Sequence, residues 1–200
     1  NISTSGFVPS SEYVVSGQFS NFLELSSRGY CRLYKAQRNG QWFTLKTLKS
    51  EVANDPMYQG MLDKEFNLMM QLNHPNVVRV YSREEIPNFG PCIVMEYIDG
   101  RTLGDFLSEK PTQSVRESVV RQLLEAIGYC HGKQIIHRDL KPSNVLVTYN
   151  GNRVKLIDFG LSDSDSYAVL KEPAYTKAYA APEQLSGGKV DNRTDLYAFG

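Results

Sequence analysis

Long apolar runs are missing from this sequence: no stretch of about 18 apolar residues occurs, the length a helix needs to cross a bilayer. The start, Asn1-Ile2-Ser3-Thr4-Ser5-Gly6, has neither a basic flank nor an apolar signal core. Net charge is missing too. Lysine plus arginine and aspartate plus glutamate both total 22, so the formal charge is zero. That balance argues against nucleic acid or an anionic membrane as a partner. Cysteine is scarce: Cys31, Cys92 and Cys130 are an odd number, widely spaced, and lack the close pairs of a zinc site or disulfide framework. They read as thiols in a reducing compartment, and the expectation is a soluble, cytoplasmic domain.

What is present is an ordinary globular composition. Two hundred residues at 41% hydrophobic and 22% charged suffice for one sizeable core or two small lobes sharing an interface. The pattern along the chain divides it in three. Residues 1–18, rich in serine and glycine with only Tyr13-Val14-Val15 apolar, read as a leader or accessory strand. Residues 19–98 are β-rich and 99–200 mainly helical, an α+β class with its boundary at the breaker Asp99-Gly100.

In the β-rich part, Phe22, Leu23 and Leu25, then Leu33 to Ala36, then Trp42 to Lys46 read as strands, and Asn39-Gly40 joins the last two as a hairpin. Asp55 as N-cap and Pro56 at the first helical position open a helix running to about Leu72. Val77 to Tyr81 and Cys92 to Tyr97 predict two further strands. Thr102 to Leu107 and Ser114 to His131 predict helices, the second with Val115, Val119, Leu123, Ile127 and Cys130 on one stripe.

Two constellations carry chemistry. Val145-Leu146-Val147 and Val154 to Ile157, joined by Tyr149-Asn150-Gly151-Asn152, form a hairpin signature, which puts the flanking residues Asn144 and Asp158 at one end. An amide oxygen and a carboxylate converging there make a hard oxygen site of the kind magnesium takes when phosphates complete its shell. Asp139 lies five residues before Asn144. Taken singly, each of the three is equally readable as an ordinary turn residue. The second constellation pairs Glu65, inside the apolar stripe of Leu62, Phe66, Met69 and Leu72, with Lys46, out of place in a strand. A carboxylate facing a core needs a cation. Lys49, at an odd offset from Lys46, is expected on the other sheet face.

These motifs, in this order, resemble the eukaryotic-type serine/threonine protein kinase catalytic domain over about residues 20 to 200. The strand lysine Lys46, the helix glutamate Glu65, the loop His137 to Asn144, the triplet Asp158-Phe159-Gly160 and Ala181-Pro182-Glu183 carry the likeness, and Asp195 to Gly200 is similar to the start of the family's central helix. The resemblance implies a two-lobe fold and transfer of the γ-phosphoryl of ATP to a protein serine or threonine. It implies that Asp139 orients the substrate hydroxyl, Asn144 and Asp158 hold magnesium, and Lys46, gripped by Glu65, holds the phosphates. Lys141 and Thr176 fit the serine/threonine type. Leu33 and Leu146 would sandwich adenine, with Thr44 beside them, Met95 as gatekeeper and Glu96-Tyr97-Ile98 as hinge. Arg138 would anchor the segment from Asp158 to Glu183, where Glu172 stands at a position the family often phosphorylates.

The pattern breaks in two places. The family's three loop glycines are replaced by Ser26, Arg28 and Cys31, so backbone approaches phosphate less closely and weaker nucleotide binding is expected. The chain stops at Gly200, where an incomplete large lobe is expected, without the usual partner of Glu183. The alternative reading is a pseudokinase or kinase-like binding module.

Overall fold

Asn39 and Gly40, at φ values of 52° and 78°, form the two-residue turn that a right-twisted hairpin favours. The turn fixes the register of β2 (Cys31–Arg38) against β3 (Gln41–Leu48), with Arg38 opposite Gln41 and Leu33 opposite Lys46. The computed structural model describes residues 18–160 and 178–199. With β1 (Ser20–Arg28), β4 (Val80–Ile86) and β5 (Gly90–Glu96), these strands make an antiparallel five-stranded sheet in the order β1-β2-β3-β5-β4. The predicted leader, apart from its last residue, lies outside the described residues.

Helix α1 (Pro56–Met69) starts as its sequence dictates, with the Asp55 side chain accepting from the Met57 amide and Pro56 in the first turn. It ends three residues before Leu72, where the amides of Gln71 and Leu72 bond three residues back, tightening the last turn. Its buried residues are Met61, Leu62, Glu65 and Met69. One strand expectation is corrected. Val77, Val78 and Arg79 lie outside β4; Val77 bridges Leu156, and the Val78 amide donates to the Leu156 carbonyl. An apolar run buried against another part of the fold looks the same in sequence as one in a sheet. Lys49 likewise falls after the end of β3, its amide donating to the Tyr30 carbonyl.

A second sheet holds β6 (Gly100–Thr102), β7 (Val145–Thr148) and β8 (Val154–Leu156) in that order. Gly100, read as a breaker, is a strand residue here. A Cβ on it would lie 2.6 Å from the Val147 carbonyl oxygen, so glycine is required by the closeness of β7. Helices α2 (Leu103–Ser108) and α3 (Gln113–Gly132) are capped by Thr102 and Thr112, and α3 buries Val119, Leu123, Ala126, Ile127 and Cys130. Helices α4 (Pro182–Ser186) and α5 (Asn192–Phe199) complete the described residues. One core cluster runs from Leu62 and Met69 of α1 through Ile93 to Leu123, Val147 and Leu156, joining the two sheets. A smaller one, Ala36, Leu45, Ile86, Cys92 and Val94, lies on the opposite face of the large sheet.

Candidate active site

The two ends of the β7–β8 hairpin meet as its turn predicts. The Ile157 amide donates to the Asn144 carbonyl at 3.0 Å, which places Asn144 and Asp158 side by side. Asp158 takes a left-handed conformation, φ 64°, and so turns out of the strand. Its Oδ1 lies 3.1 Å from Lys46 Nζ, and Lys46 Nζ donates to Glu65 Oε1 at 2.7 Å. One ammonium thus joins the large sheet, α1 and the second residue after β8. The Lys46 and Glu65 side chains are 9% and 1% exposed, whereas that of Asp158 is 46% exposed and keeps an open side.

Electrostatics follow from that placement. Burial alone would push Lys46 toward neutrality, but the Asp158 and Glu65 carboxylates hold it well above the ordinary lysine value. The Lys46 cation brings Asp158 down to about 2. Burial lifts the Glu65 carboxyl, with Lys46 opposing.

A second group lies in the loop before β7. Asn144 Nδ2 donates to the Asp139 carbonyl at 2.9 Å and to its Oδ2 at 3.1 Å, and Lys141 Nζ lies 2.8 Å from the same Oδ2. With its amide nitrogen committed, Asn144 has its side-chain oxygen left to accept. His137 Nε2 donates to the Ile157 carbonyl at 3.0 Å while Nδ1 faces the Asp139 amide at 3.3 Å, and the ring packs on Phe159. The loop therefore grips the same hairpin end that presents Asp158.

The sheet arranges the other predicted residues on one face. Leu33 lies opposite Lys46, Thr44 opposite Met95, and Thr44 alternates with Lys46, so all four side chains share the face turned toward α1 and Asp158. Leu146 lies on β7 opposite Lys155. Glu96 is more engaged than its hinge role requires: its amide donates to the Arg79 carbonyl at 2.9 Å, and its carboxylate accepts from Lys155 Nζ and the Arg79 amide, each at 2.7 Å. That amide is not available to a ligand. Ile98 packs on the main core cluster.

Sequence reasoning missed three participants. Tyr30, beside Gly29 in the β1–β2 turn, places its ring 5.3 Å from that of Tyr58 on α1 and its hydroxyl over Gly160; burial raises its pKa. Asp195, read only as part of a helix start, accepts from the His137 amide at 2.8 Å, the Arg138 amide at 2.9 Å and His131 Nε2 at 2.8 Å. Burial would raise its pKa, but these donors hold it below the ordinary value. Gln184 reaches the Arg138 carbonyl. An acid directly before Leu196-Tyr197-Ala198 was the available signal for Asp195, but nothing local names partners 57 and 58 residues away. Glu183 accepts from the Thr194 hydroxyl at 2.6 Å. Glu172, Thr176 and the rest of the segment 161–177 lie outside the described residues.

The replaced glycines sit in regular pairing, Ser26 opposite Leu33 and Arg28 opposite Cys31. Arg28 is exposed while Cys31 is buried.

Comparison with known proteins agrees with this architecture. Residues 27–200 match the family described as the protein kinase domain. A probable serine/threonine-protein kinase of Streptomyces coelicolor is 38% identical over 190 residues, covering 88% of this chain and 28% of its own. The serine/threonine-protein kinase PknB of Mycobacterium leprae is 37% identical over 166 residues, 78% of this chain and 26% of that protein. PrkC of Bacillus subtilis, also a serine/threonine-protein kinase, is 30% identical over 193 residues, 93% of this chain and 30% of its own. The chain thus spans between a quarter and a third of the length of these relatives. A five-stranded antiparallel sheet with one internal helix, set beside a mainly helical part, carries the Lys46–Glu65–Asp158 and Asp139–Asn144 groups, and with the family match over residues 27–200 this chain belongs to the serine/threonine-type protein kinase domain family.

Proposed function

We propose that this chain carries the catalytic centre of an ATP-dependent serine/threonine protein kinase, with lobes at 19–98 and 99–200 behind a leader of residues 1–18. The observation that carries the reading is the Lys46 ammonium shared between Glu65 and Asp158. It presents a fixed cation and an open carboxylate to the same space, as phosphate and its counter-ion require.

In this reading Lys46 binds the α- and β-phosphates, and Leu33, Thr44, Met95, Glu96, Ile98 and Leu146 line the nucleotide site. The Asp139 carboxylate, held by Asn144 and Lys141, orients the acceptor hydroxyl and receives its proton. Asn144 and Asp158 supply two oxygens, so their chemistry fits a magnesium ion whose shell phosphates complete. Such an ion, when bound, neutralises charge on the phosphate oxygens. The chain's own contribution is position and preorganised charge, which phosphoryl transfer mostly demands.

The acceptor is a protein hydroxyl, and the proposed setting is cytoplasmic. Among the described residues no helix is long and apolar enough to cross a membrane. The relatives, all named as kinases, give no support to a binding-only module.

The test is incubation of the protein with magnesium, ATP and a serine- and threonine-rich acceptor protein, read by mass spectrometry. Phosphoserine or phosphothreonine in the acceptor, absent with Asp139→Asn, is the expected result. No transfer by the unaltered protein would overturn it.

A further inference from the structure

Arg138 precedes the proposed catalytic aspartate and holds φ at 68°, a left-handed conformation that residues with a Cβ seldom adopt. Both sides of this residue are pinned by buried side chains. Its amide donates to Asp195 Oδ1 at 2.9 Å, and its carbonyl accepts from Gln184 Nε2 at 2.8 Å. Asp195 belongs to α5 and Gln184 to α4, and the Thr194 hydroxyl bonds Glu183 between them. The loop conformation is therefore set from outside the loop.

Gln184 is 6% exposed, and its amide is used at both ends. Oε1 accepts from the Ala181 amide at 3.0 Å, closing the first turn of α4, while Nε2 serves Arg138. The two partners fix the orientation of the amide, since a backbone N–H needs an acceptor and a carbonyl needs a donor. A glutamate ion would meet the first need and fail the second. An apolar side chain would fail both.

We infer that Gln184 is a positioning residue that couples α4 to the catalytic loop: by holding the Arg138 carbonyl it keeps the next residue, Asp139, aimed at the acceptor hydroxyl. The inference rests on the kinase reading for its effect on turnover, but not for its effect on the loop. Because α4 contains the last residues of the segment from Asp158 to Glu183, this bond also makes the loop sensitive to whether that end of the segment is seated.

The test compares Gln184→Glu and Gln184→Met with the unaltered protein by hydrogen exchange at single amides and by steady-state kinetics. In both variants the Arg138 and Asp139 amides should exchange about five to tenfold faster, the effect of one lost buried hydrogen bond. The Ala181 amide should change only in Gln184→Met. Turnover should fall about tenfold or more while nucleotide affinity holds, as misaimed chemistry predicts. Unchanged exchange at Arg138 in both variants, or an affinity loss matching the turnover loss, would overturn the inference. If the unaltered protein transfers no phosphate, the kinase reading fails and the exchange result still decides the role of Gln184.

Discussion

The Tyr30 hydroxyl stands 3.3 Å from the point where a Cβ on Gly160 would lie, and Asp158 Oδ1 and Glu65 Oε2 approach that point to 3.4 and 3.5 Å. Three oxygens from three elements close over one glycine. Only the Tyr30 hydroxyl is nearer than ordinary contact, so Gly160→Ala should push it aside by a few tenths of an ångström and cost about 1 kcal/mol, the low end of overpacking. Tyr30→Phe, which removes the nearest oxygen, should return part of that loss. Denaturant titration of the two single variants and the double variant is the measurement; strict additivity would show that the residues do not meet.

Removing one partner of the Lys46–Glu65 pair leaves the other buried. Lys46→Met strands a carboxylate that is 1% exposed and should cost about 3–5 kcal/mol. Glu65→Gln should cost less, because Lys46 keeps Asp158 as a counter-charge. Equal losses in urea unfolding would contradict the shared-cation geometry.

The pH dependence of stability has a defined sign for Asp158. Its folded pKa of about 2 is below the ordinary 3.8, so its contribution is complete above about pH 4 and lost as pH falls toward 2. Stability followed from pH 5 to 2 should fall less steeply in Asp158→Asn than in the unaltered protein. Its 46% exposure allows solvent screening and limits the difference.

Asp139→Asn should lower turnover by about 10²- to 10⁴-fold and leave nucleotide affinity within about twofold, because in the proposed function this carboxylate meets the acceptor and not the nucleotide. Single-turnover kinetics and calorimetry separate the two. A matching fall in affinity would place Asp139 among the nucleotide contacts instead.

All three thiols should resist alkylation in the folded protein. Burial pushes Cys31 and Cys130 up to about 12 and Cys92 to about 11, so at pH 8 only about one molecule in a thousand or fewer presents a thiolate. Reaction with a thiol-specific chromophore should be slow in buffer and complete within minutes in denaturant. Rapid labelling of any one cysteine in buffer would show that its cover opens.

What the sequence made legible follows a physical divide. The hairpin turn at Asn39-Gly40, the Asp55-Pro56 helix start and the stripe of α3 were readable because each depends on neighbours within a few positions. The juxtaposition of Asn144 with Asp158 was readable because a hairpin fixes its own ends. Tyr30, Gln184 and Asp195 were not, since their partners come from elements far along the chain. Val77 and Val78 misled because apolar character does not say which sheet does the burying.

The short segment after α1 has a mechanical consequence. The Asn76 carbonyl accepts from the Leu156 amide, Asn76 Nδ2 reaches the Val154 carbonyl and Gln122, and the Val78 amide returns to Leu156. The chain leading out of α1 is thereby fastened to β8 and α3, while α1 itself packs on β3, β4 and β5 of the large sheet. Three hydrogen bonds thus make Asn76 and Val78 part of the β8 edge, so a displacement of β8 carries this segment with it.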